Sequence, residues 1–217
     1  MSQFSIPRNC NRTFVSCCSM HDAAYLHDAL GRRLYLAPGE RDAFLRTALG
    51  QDRLVRTFCS LLYYTGCRIS EALHLTPRRV DFADQVIIVE SLKKRRKGVY
   101  RSIPVPPSLL DTLDMVHGLK EIQHRGRQHE LDRPLWSWSR TTAWRRVVAV
   151  MTQADIAAGP HRVPKGLRHG YAIHALNKGV PLNMLSKWMG HSIMEITAIY
   201  ANAVGAEQQA IAARMWS

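Results

Sequence analysis

Apolar residues recur every three or four positions through most of the chain, which is the spacing of amphipathic helices. The stretch 52–64 shows this well, because Val55, Phe58 and Leu62 would share one helix face and Gly66 would follow the last turn. Caps and Gly or Pro breaks delimit the other helices. The pattern predicts helices over residues 41–49, 52–64, 70–75, 108–116, 141–156, 165–177, 181–189, 193–203 and 206–215.

One short region has the composition of β-strands instead. Residues 86–89 form a β-branched run, and residues 99–105 are a second strand candidate. The segment Lys93-Lys94-Arg95-Arg96-Lys97-Gly98 between them predicts a basic hairpin turn with Gly at the bend. Residues 118–133 are polar and charged, so we predict a loop with a frayed helix there. The expected fold class is mostly α with a small antiparallel β-hairpin, an α+β domain.

The first 34 residues show no clear period, and a short helix near residues 21–30 is the one element that we expect there. We therefore divide the chain into a short N-terminal arm over 1–34, a candidate for partial disorder, and one domain over 35–217. The length of 217 residues leaves room for one good-sized domain or two small ones.

The charge of the chain narrows the class of partner. Lys and Arg total 30 against 17 Asp and Glu, a net charge of +13, which is typical of a protein that binds a polyanion. Arg supplies 23 of the 30 cations, and its fork can bind two phosphate oxygens at once, which favours nucleic acid over an anionic membrane surface. No apolar run reaches the roughly 18 residues of a membrane span, and we expect no secretory signal in the polar first residues.

Cysteine usage and short motifs bear on location and cofactors. Five cysteines without a C-x-x-C pair argue against a thiolate zinc site and against a disulfide framework. Reduced thiols are the simpler interpretation, so we expect a cytoplasmic protein. The sequence holds no G-x-x-x-x-G-K-S/T loop and no acidic pair at Mg²⁺-binding spacing. We therefore expect no metal and no nucleotide cofactor.

Three short segments and one tyrosine carry the candidate chemistry. Arg68 follows a Gly break and begins a helix, so its guanidinium lies beside free backbone N–H groups, which is an anion site by geometry. Lys165 and Arg168 share a helix face, where two cations repel each other unless an anion lies between them. His191 follows a Gly and can donate to a phosphate oxygen. Tyr200 comes nine residues later, about 13 Å along a straight helix, so the two could share a phosphate only if the backbone bends or folds back.

These segments resemble the sequence boxes of the tyrosine recombinase (phage integrase) family. Box I, T-G-x-R-x-S-E, matches from Thr65, and box II, H/K-x-L-R-H, matches from Lys165. The L-G-H-S box corresponds to Met189-Gly190-His191-Ser192, and the family's nucleophile lies nine residues after that His, at Tyr200 here. The resemblance covers roughly residues 36–217 and implies the catalytic-domain fold of that family. Four segments in the expected order make the match highly specific.

The resemblance implies a role for each matched residue. Arg68 and Arg168 would bind the non-bridging oxygens of the scissile phosphate and stabilise its transition state. Tyr200 would attack the phosphorus and form a 3′-phosphotyrosyl link. His191 would hydrogen-bond the phosphate or help to deprotonate the tyrosine, and Glu71 would steady the first arginine.

Lysines are expected in two places. One lysine of the basic turn would protonate the leaving 5′ oxygen, and Lys93 is our choice because it directly follows the first strand, with Lys94 as the alternative. Lys165 stands where the family usually has a His, and next to two arginines it is better suited to be a charged donor than a base. His169 also has a counterpart in the family, and we expect a structural role for it.

Two basic surfaces are expected to contact the DNA backbone beside that phosphate. The hairpin turn is one, and the helix over residues 141–156 is the other. That helix is expected to pack through Trp144, Val147, Val148 and Met151, which leaves its basic side for phosphate and major-groove contacts. The DNA-contact candidates are Lys94, Arg95, Arg96, Lys97, Arg140, Thr141, Arg145 and Arg146.

The resemblance implies a site-specific recombinase that cuts and rejoins double-stranded DNA within a homotetramer and needs no cofactor. Integration, inversion and resolution stay open as outcomes. Only about 35 residues precede the matched region, whereas most such enzymes carry a separate core-binding domain there, so an accessory DNA-binding protein is a candidate partner. The alternatives are a non-catalytic DNA-binding regulator or orphan catalytic domain on the same fold, and a DNA-relaxing enzyme of the type IB topoisomerase kind.

Overall fold

A computed structural model of the chain describes residues 26–92, 98–191 and 195–200. These ranges contain ten α-helices and one three-stranded sheet. The helices are α1 (Pro38–Leu49), α2 (Arg53–Thr65), α3 (Ile69–Leu73), α4 (Pro107–His117), α5 (Leu119–Arg125), α6 (Gln128–Leu131), α7 (Arg140–Gln153), α8 (Pro164–Asn177), α9 (Leu182–Met189) and α10 (Glu195–Ala198). The strands are β1 (Val80–Asp81), β2 (Val86–Glu90) and β3 (Tyr100–Pro104), and a 3₁₀ turn at Pro77–Arg79 precedes β1.

Helix α2 begins and ends where local chemistry requires it. Oδ1 of Asp52 accepts bonds from the N–H groups of Leu54 and Val55, which are 3.0 and 3.1 Å long. Gly66 ends the helix with φ of 58°, a left-handed conformation that suits Gly because it has no Cβ. A Cβ at Gly66 would also lie 2.4 Å from the ring of Tyr171. The predicted helix is confirmed, and its end directly precedes the first arginine of the site.

The sheet has the order β1-β2-β3, and both neighbours of β2 run antiparallel to it. The register pairs Val86 with Pro104 and Glu90 with Tyr100. The predicted hairpin and the fold class, mostly helical with a small antiparallel sheet, are therefore confirmed. Strand β1 was not predicted, because a run of two residues carries no alternation of apolar and polar positions.

The polar segment 118–133 is more helical than the predicted loop with a frayed helix, because α5 and α6 both form within it. Gly118, with φ of 63°, ends α4 and opens α5. Leu119 is fully buried, and the side chain of Gln123 donates to the carbonyls of Pro77 and Val80 over 2.7 and 2.8 Å. These tertiary contacts stabilise helices that the polar composition predicted only as one frayed helix.

Helix α7 confirms the predicted helix over 141–156, and its buried face is in part the expected one. The buried residues of α7 are Ala143, Val147, Val150 and Met151. Trp144 is 41% exposed, although we expected it in the core. Val147 and Met151 are buried as predicted, whereas Ala143 and Val150 take the core positions expected for Trp144 and Val148, so the buried stripe is turned part of the way toward Ala143.

Two apolar clusters meet at α8. The larger cluster joins α1, α2, α4, the sheet and α7, and includes Phe44, Phe58, Ile103, Leu113 and Met151. The smaller cluster surrounds the second half of α8 and α9, and includes Leu26, Tyr171, Leu185, Met189 and Tyr200. Leu167 of α8 belongs to the larger cluster and Tyr171 to the smaller one. The polar residues between these two positions therefore lie at the junction of the clusters.

The described part of the N-terminal segment packs against the rest of the fold. Leu26 is 7% exposed and lies in the smaller cluster, and Arg33 pairs with Glu40 of α1. Residues 26–30 are not helical, and the rest of the helix expected near 21–30 lies outside the described residues. The domain boundary after residue 34 stays a prediction. No helix within the described ranges is both long and apolar enough to cross a membrane.

Candidate active site

Arg68 begins α3 and is held there by Glu71. Its backbone N–H donates to Oε2 of Glu71 over 2.9 Å, and its Nη1 donates to Oε1 over 2.8 Å. The Glu71 side chain is fully buried, whereas 29% of the Arg68 side chain is exposed. Burial by itself would raise the pKa of Glu71, but the hydrogen bonds and charges of Arg101 and Arg68 hold it below its usual range. Glu71 thus stays charged and orients a guanidinium that still faces solvent.

Arg168 lies on α8 and is almost completely buried at the junction of the clusters. Nη1 donates to the carbonyl of Gly66 over 2.7 Å, and Nη2 donates to the carbonyl of Met189 over 2.6 Å. Burial and the nearby charge of Arg68 lower the pKa of Arg168 to about 10, so it remains charged at neutral pH. One side chain therefore ties the end of α2 to the end of α9.

His191 follows Gly190, which ends α9 with φ of 65°. Nε2 of His191 lies 3.4 Å from Nη2 of Arg168, and Nδ1 lies 2.9 Å from Oγ1 of Thr197. Burial and the charges of Arg168 and Arg68 lower the pKa of His191 to about 3. The ring is therefore neutral near pH 7, with one nitrogen as donor and the other as acceptor.

Tyr200 is fully buried beside this histidine. Its ring centre lies 6.3 Å from that of His191, and the two planes are only 17° apart. The chain therefore brings the two residues closer than one straight helix would. The Tyr200 hydroxyl forms a 2.7 Å hydrogen bond with Nδ1 of His169. Burial, against the charges of Arg168 and Arg68, raises the pKa of Tyr200 to about 12, so the phenol keeps its proton.

Two residues that contact this site were not among the sequence candidates. His169 was assigned a structural role, yet it holds the Tyr200 hydroxyl, and burial together with the charges of Lys165 and Arg168 lowers its pKa to about 3. Arg101 of β3 binds Glu71 over 2.6 Å and is 6% exposed. Its place on the inward side of a strand was a signal, because that side normally carries apolar residues.

The remaining candidates fall into three groups. Lys165 is exposed on the first turn of α8, one turn before Arg168. Arg140, Thr141, Arg145 and Arg146 are exposed on α7. Lys93, Lys94, Arg95, Arg96 and Lys97 lie outside the described residues. Across the described part of the chain, no group of three or more His, Cys, Asp or Glu side chains could hold a metal ion.

Comparison with known proteins decides the family. The model of the phage integrase family matches residues 42–206, more than half of the chain. This chain belongs to the phage integrase family. A tyrosine recombinase of Thermosipho africanus is 29% identical over 157 residues, which make up 70% of this chain and 51% of that protein. Tyrosine recombinase XerD of Mycobacterium leprae is 30% identical over 187 residues, which make up 78% of this chain and 57% of that protein.

A solved structure of a site-specific recombinase has the same fold as this chain. The XerH site-specific recombinase bound to its difH substrate, in a pre-cleavage complex, superposes with a TM-score of 0.65 at 16% identity. The match covers 88% of this chain and 60% of that chain, and at this identity it concerns the fold alone. This phage integrase family chain spans about half the length of the curated relatives it matches. The activity and partners of the whole protein are therefore proposals.

The buried, neutral His169 is expected to make this phage integrase family domain sensitive to acid. Its pKa is about 3 in the folded protein, against an ordinary value of 6.5, so below pH 6.5 the unfolded chain binds a proton that the folded chain does not bind. Stability is lost as the pH falls through that window. We expect His169→Gln to lose about 2 kcal/mol less than the wild type between pH 7 and pH 5, as measured by urea unfolding. The matched control His129→Gln, at an exposed histidine, should leave the pH dependence unchanged.

Proposed function

We propose that this chain is a site-specific DNA recombinase that cuts and rejoins DNA through a 3′-phosphotyrosyl link on Tyr200. The observation that carries the proposal is the convergence of Arg68, Arg168, His191 and Tyr200 at one junction of the fold. Two guanidiniums beside a neutral imidazole and a phenol provide positive charge, donors and a nucleophile in one place. That combination suits attack on a phosphodiester.

The proposed cleavage step needs each of these groups. Attack forms a bond between Tyr200 Oη and phosphorus and breaks the bond from phosphorus to the 5′ oxygen. Arg168 uses two of its five N–H donors on main-chain carbonyls and a third on Nε2 of His191, which leaves two for a phosphate oxygen. The exposed part of Arg68 is available to the other non-bridging oxygen. His191 is close enough to Arg168 to bind the same phosphate or to take the phenol proton.

A lysine would complete the proton balance. The leaving 5′ oxygen takes a proton, and we assign that role to Lys93 in the basic turn, with Lys94 as the alternative. Lys165, exposed one turn before Arg168, would add a charged donor on the phosphate side of α8. The phosphotyrosyl bond keeps the energy of the broken phosphodiester, so the attack of a 5′ hydroxyl can rejoin the strand without a nucleotide cofactor.

Tyr200 would have to change its contacts before it can act. Its hydroxyl is bound to His169 inside the protein, so attack on DNA requires this hydrogen bond to break. We therefore assign the arrangement in which His169 binds the Tyr200 hydroxyl to a resting state of the proposed enzyme. His169 would hold the nucleophile between reactions.

The exposed side of α7 is the proposed partner of the flanking DNA backbone. Arg140, Thr141 and Arg145 face outward, where they can reach phosphates. Arg146 is partly committed within the protein, since its guanidinium lies 4.5 Å from the ring centre of Trp138 and 3.6 Å from a carboxylate oxygen of Asp52. We therefore assign the stronger phosphate contacts to the first three residues.

Assembly and location follow from the same proposal. Exchange of strands between two duplexes needs four active sites, so we propose a homotetramer on double-stranded DNA. We also propose that an accessory DNA-binding protein contributes binding energy, and that the protein works in the cytoplasm.

One observation favours the alternative of a non-catalytic DNA-binding regulator. The proposed nucleophile is fully buried and its hydroxyl is bound to His169, as expected of a tyrosine that only packs. A regulator of this kind would bind DNA through the same basic surfaces and would leave the strand intact.

A nicked duplex that traps the cleaved state separates the two functions. The duplexes are taken from inverted repeats in the DNA around the gene, and each carries a nick beside the target phosphate. Once such a duplex is cleaved, it loses the 5′ end that is needed for rejoining. We expect the wild-type protein to form an adduct that survives detergent, with the DNA mapped to the peptide that contains Tyr200. Binding of a duplex without any adduct would instead favour the regulator.

A further inference from the structure

A charged residue occupies an apolar position in the sheet. The side chains of β3 alternate between exposed and buried, and Arg101 shares the buried side with Ile103. Only 4% of the Arg101 side chain is exposed. A guanidinium is costly to bury unless its donors are paired, so this position requires a specific set of acceptors.

Arg101 has acceptors on three different segments of the site. Its Nη2 donates to Oε2 of Glu71 over 2.6 Å, which links it to the carboxylate that also holds Arg68. Its Nη1 donates to Oγ of Ser91 over 3.0 Å, just before the basic turn. Its Nε donates to the carbonyl of Trp188 over 2.7 Å, in the last turn of α9. A single side chain therefore joins α3, the foot of the hairpin and α9.

The contact with α9 fixes the backbone that leads to His191. The carbonyls of Trp188 and Met189 are consecutive, and they accept from Arg101 and Arg168 respectively. Gly190 packs directly on the first of these guanidiniums, since a Cβ there would lie 3.0 Å from Cζ of Arg101. The two arginines thus bind successive backbone carbonyls of the turn that leads to His191.

We propose that Arg101 is a positioning residue for the cleavage reaction, holding Arg68 through Glu71 and His191 through the Trp188 carbonyl in one fixed arrangement. This inference rests on the proposed function, because the groups that it aligns are those assigned to the scissile phosphate. Arg101 acts through other residues and is buried away from the DNA. Lysine could not replace it, since a single ammonium cannot reach acceptors that the planar fork meets on three sides.

Two substitutions test the proposal. Arg101→Met removes the guanidinium, and Arg101→Lys keeps a charge at the same place if the first variant does not fold. We expect either variant to form the adduct on the nicked duplex at least about tenfold more slowly at saturating protein, with a Kd for uncleaved duplex within about twofold of wild type. The matched control is Arg79→Met, because Arg79 pairs with Glu90 over 3.1 Å beside the same sheet. Its described contact with α3 is the carbonyl of His74 at the end of that helix, away from Glu71.

A second substrate distinguishes positioning from a general loss of structure. A methylphosphonate at the scissile position removes one non-bridging charge, so cleavage depends less on the alignment of the arginines. We expect the defect of Arg101→Lys to shrink to about threefold or less on this substrate. An equal defect on both substrates would overturn the proposal.

Hydrogen exchange supplies a readout that needs no activity. Loss of the Arg101 contact should speed amide exchange across residues 186–191, while α4 stays unchanged. Unchanged exchange at 186–191 would contradict the proposed link. A wild-type protein that binds DNA but forms no adduct would overturn the proposed function, and the exchange data would still decide whether Arg101 fixes this turn.

Discussion

Replacing Tyr200 by Phe is expected to abolish the covalent DNA adduct and to leave DNA affinity within about twofold of wild type. The substitution removes one oxygen, the atom that would bond to phosphorus, and keeps the ring that fills the smaller cluster. The loss of the hydrogen bond to His169 should cost about 1–2 kcal/mol of stability. The measurements are adduct yield on the nicked duplex, the Kd for uncleaved duplex and urea unfolding.

The matched control is Tyr63→Phe on α2. Its hydroxyl also has one hydrogen bond, 3.3 Å to Asp42, but it lies apart from the arginines of the site. This variant should form the adduct at the wild-type rate. An adduct that persists in Tyr200→Phe would show that another residue is the nucleophile and would end the assignment of Tyr200.

Replacing Glu71 by Gln is expected to destabilise the fold by about 3–5 kcal/mol, because it removes the negative partner of a buried charge. Oε2 of Glu71 binds Arg101, and Oε1 binds Arg68. A neutral amide of the same shape would leave Arg101 buried without a counter-charge. Urea unfolding at pH 7 measures the change, and adduct formation should fall with it because Arg68 loses its anchor.

A second carboxylate–arginine pair in the same region provides the control. Glu90 and Arg79 lie 3.1 Å apart, with 18% and 21% of their side chains exposed. Water screens this pair, so Glu90→Gln should cost less than about 1 kcal/mol. Equal losses of unfolding free energy in the two variants would show that the burial of Glu71 does not increase the cost of removing its charge.

The sequence predicted elements well where short-range chemistry decides them. Asp52 and Gly66 delimit α2 through contacts within a few residues, so the boundaries could be inferred from the sequence alone. The predicted face of α7 was right at Val147 and Met151 but wrong at Trp144, because which residue fits the core depends on distant neighbours. A bulky Trp144 looked like a core residue, but the packed structure accepts Ala143 in that place.

The same distinction between short-range and long-range contacts applies to the candidate site. The boxes of the sequence named Arg68, Arg168, His191 and Tyr200, and the fold brings all four together. Some of the contacts that hold them are local, such as that of Arg68 with Glu71, but others come from partners far away in sequence, such as Arg101, which is 30 residues from Glu71. No local pattern encodes such a pairing. One signal was available, namely an arginine at an inward-facing strand position. That signal is overlooked if every charged residue is assumed to be exposed.

If Tyr200 is the nucleophile, as proposed, its burial also limits the cleavage of unrelated DNA sequences. If exposing the hydroxyl costs about 3 kcal/mol, fewer than about one molecule in a hundred has an exposed Tyr200 hydroxyl at any moment. Accidental nicks at unrelated sequences would become rarer by the same factor. A target sequence that favours the exposed form would restore the lost rate. The burial of the Tyr200 hydroxyl would thus make cleavage depend on recognition of that target.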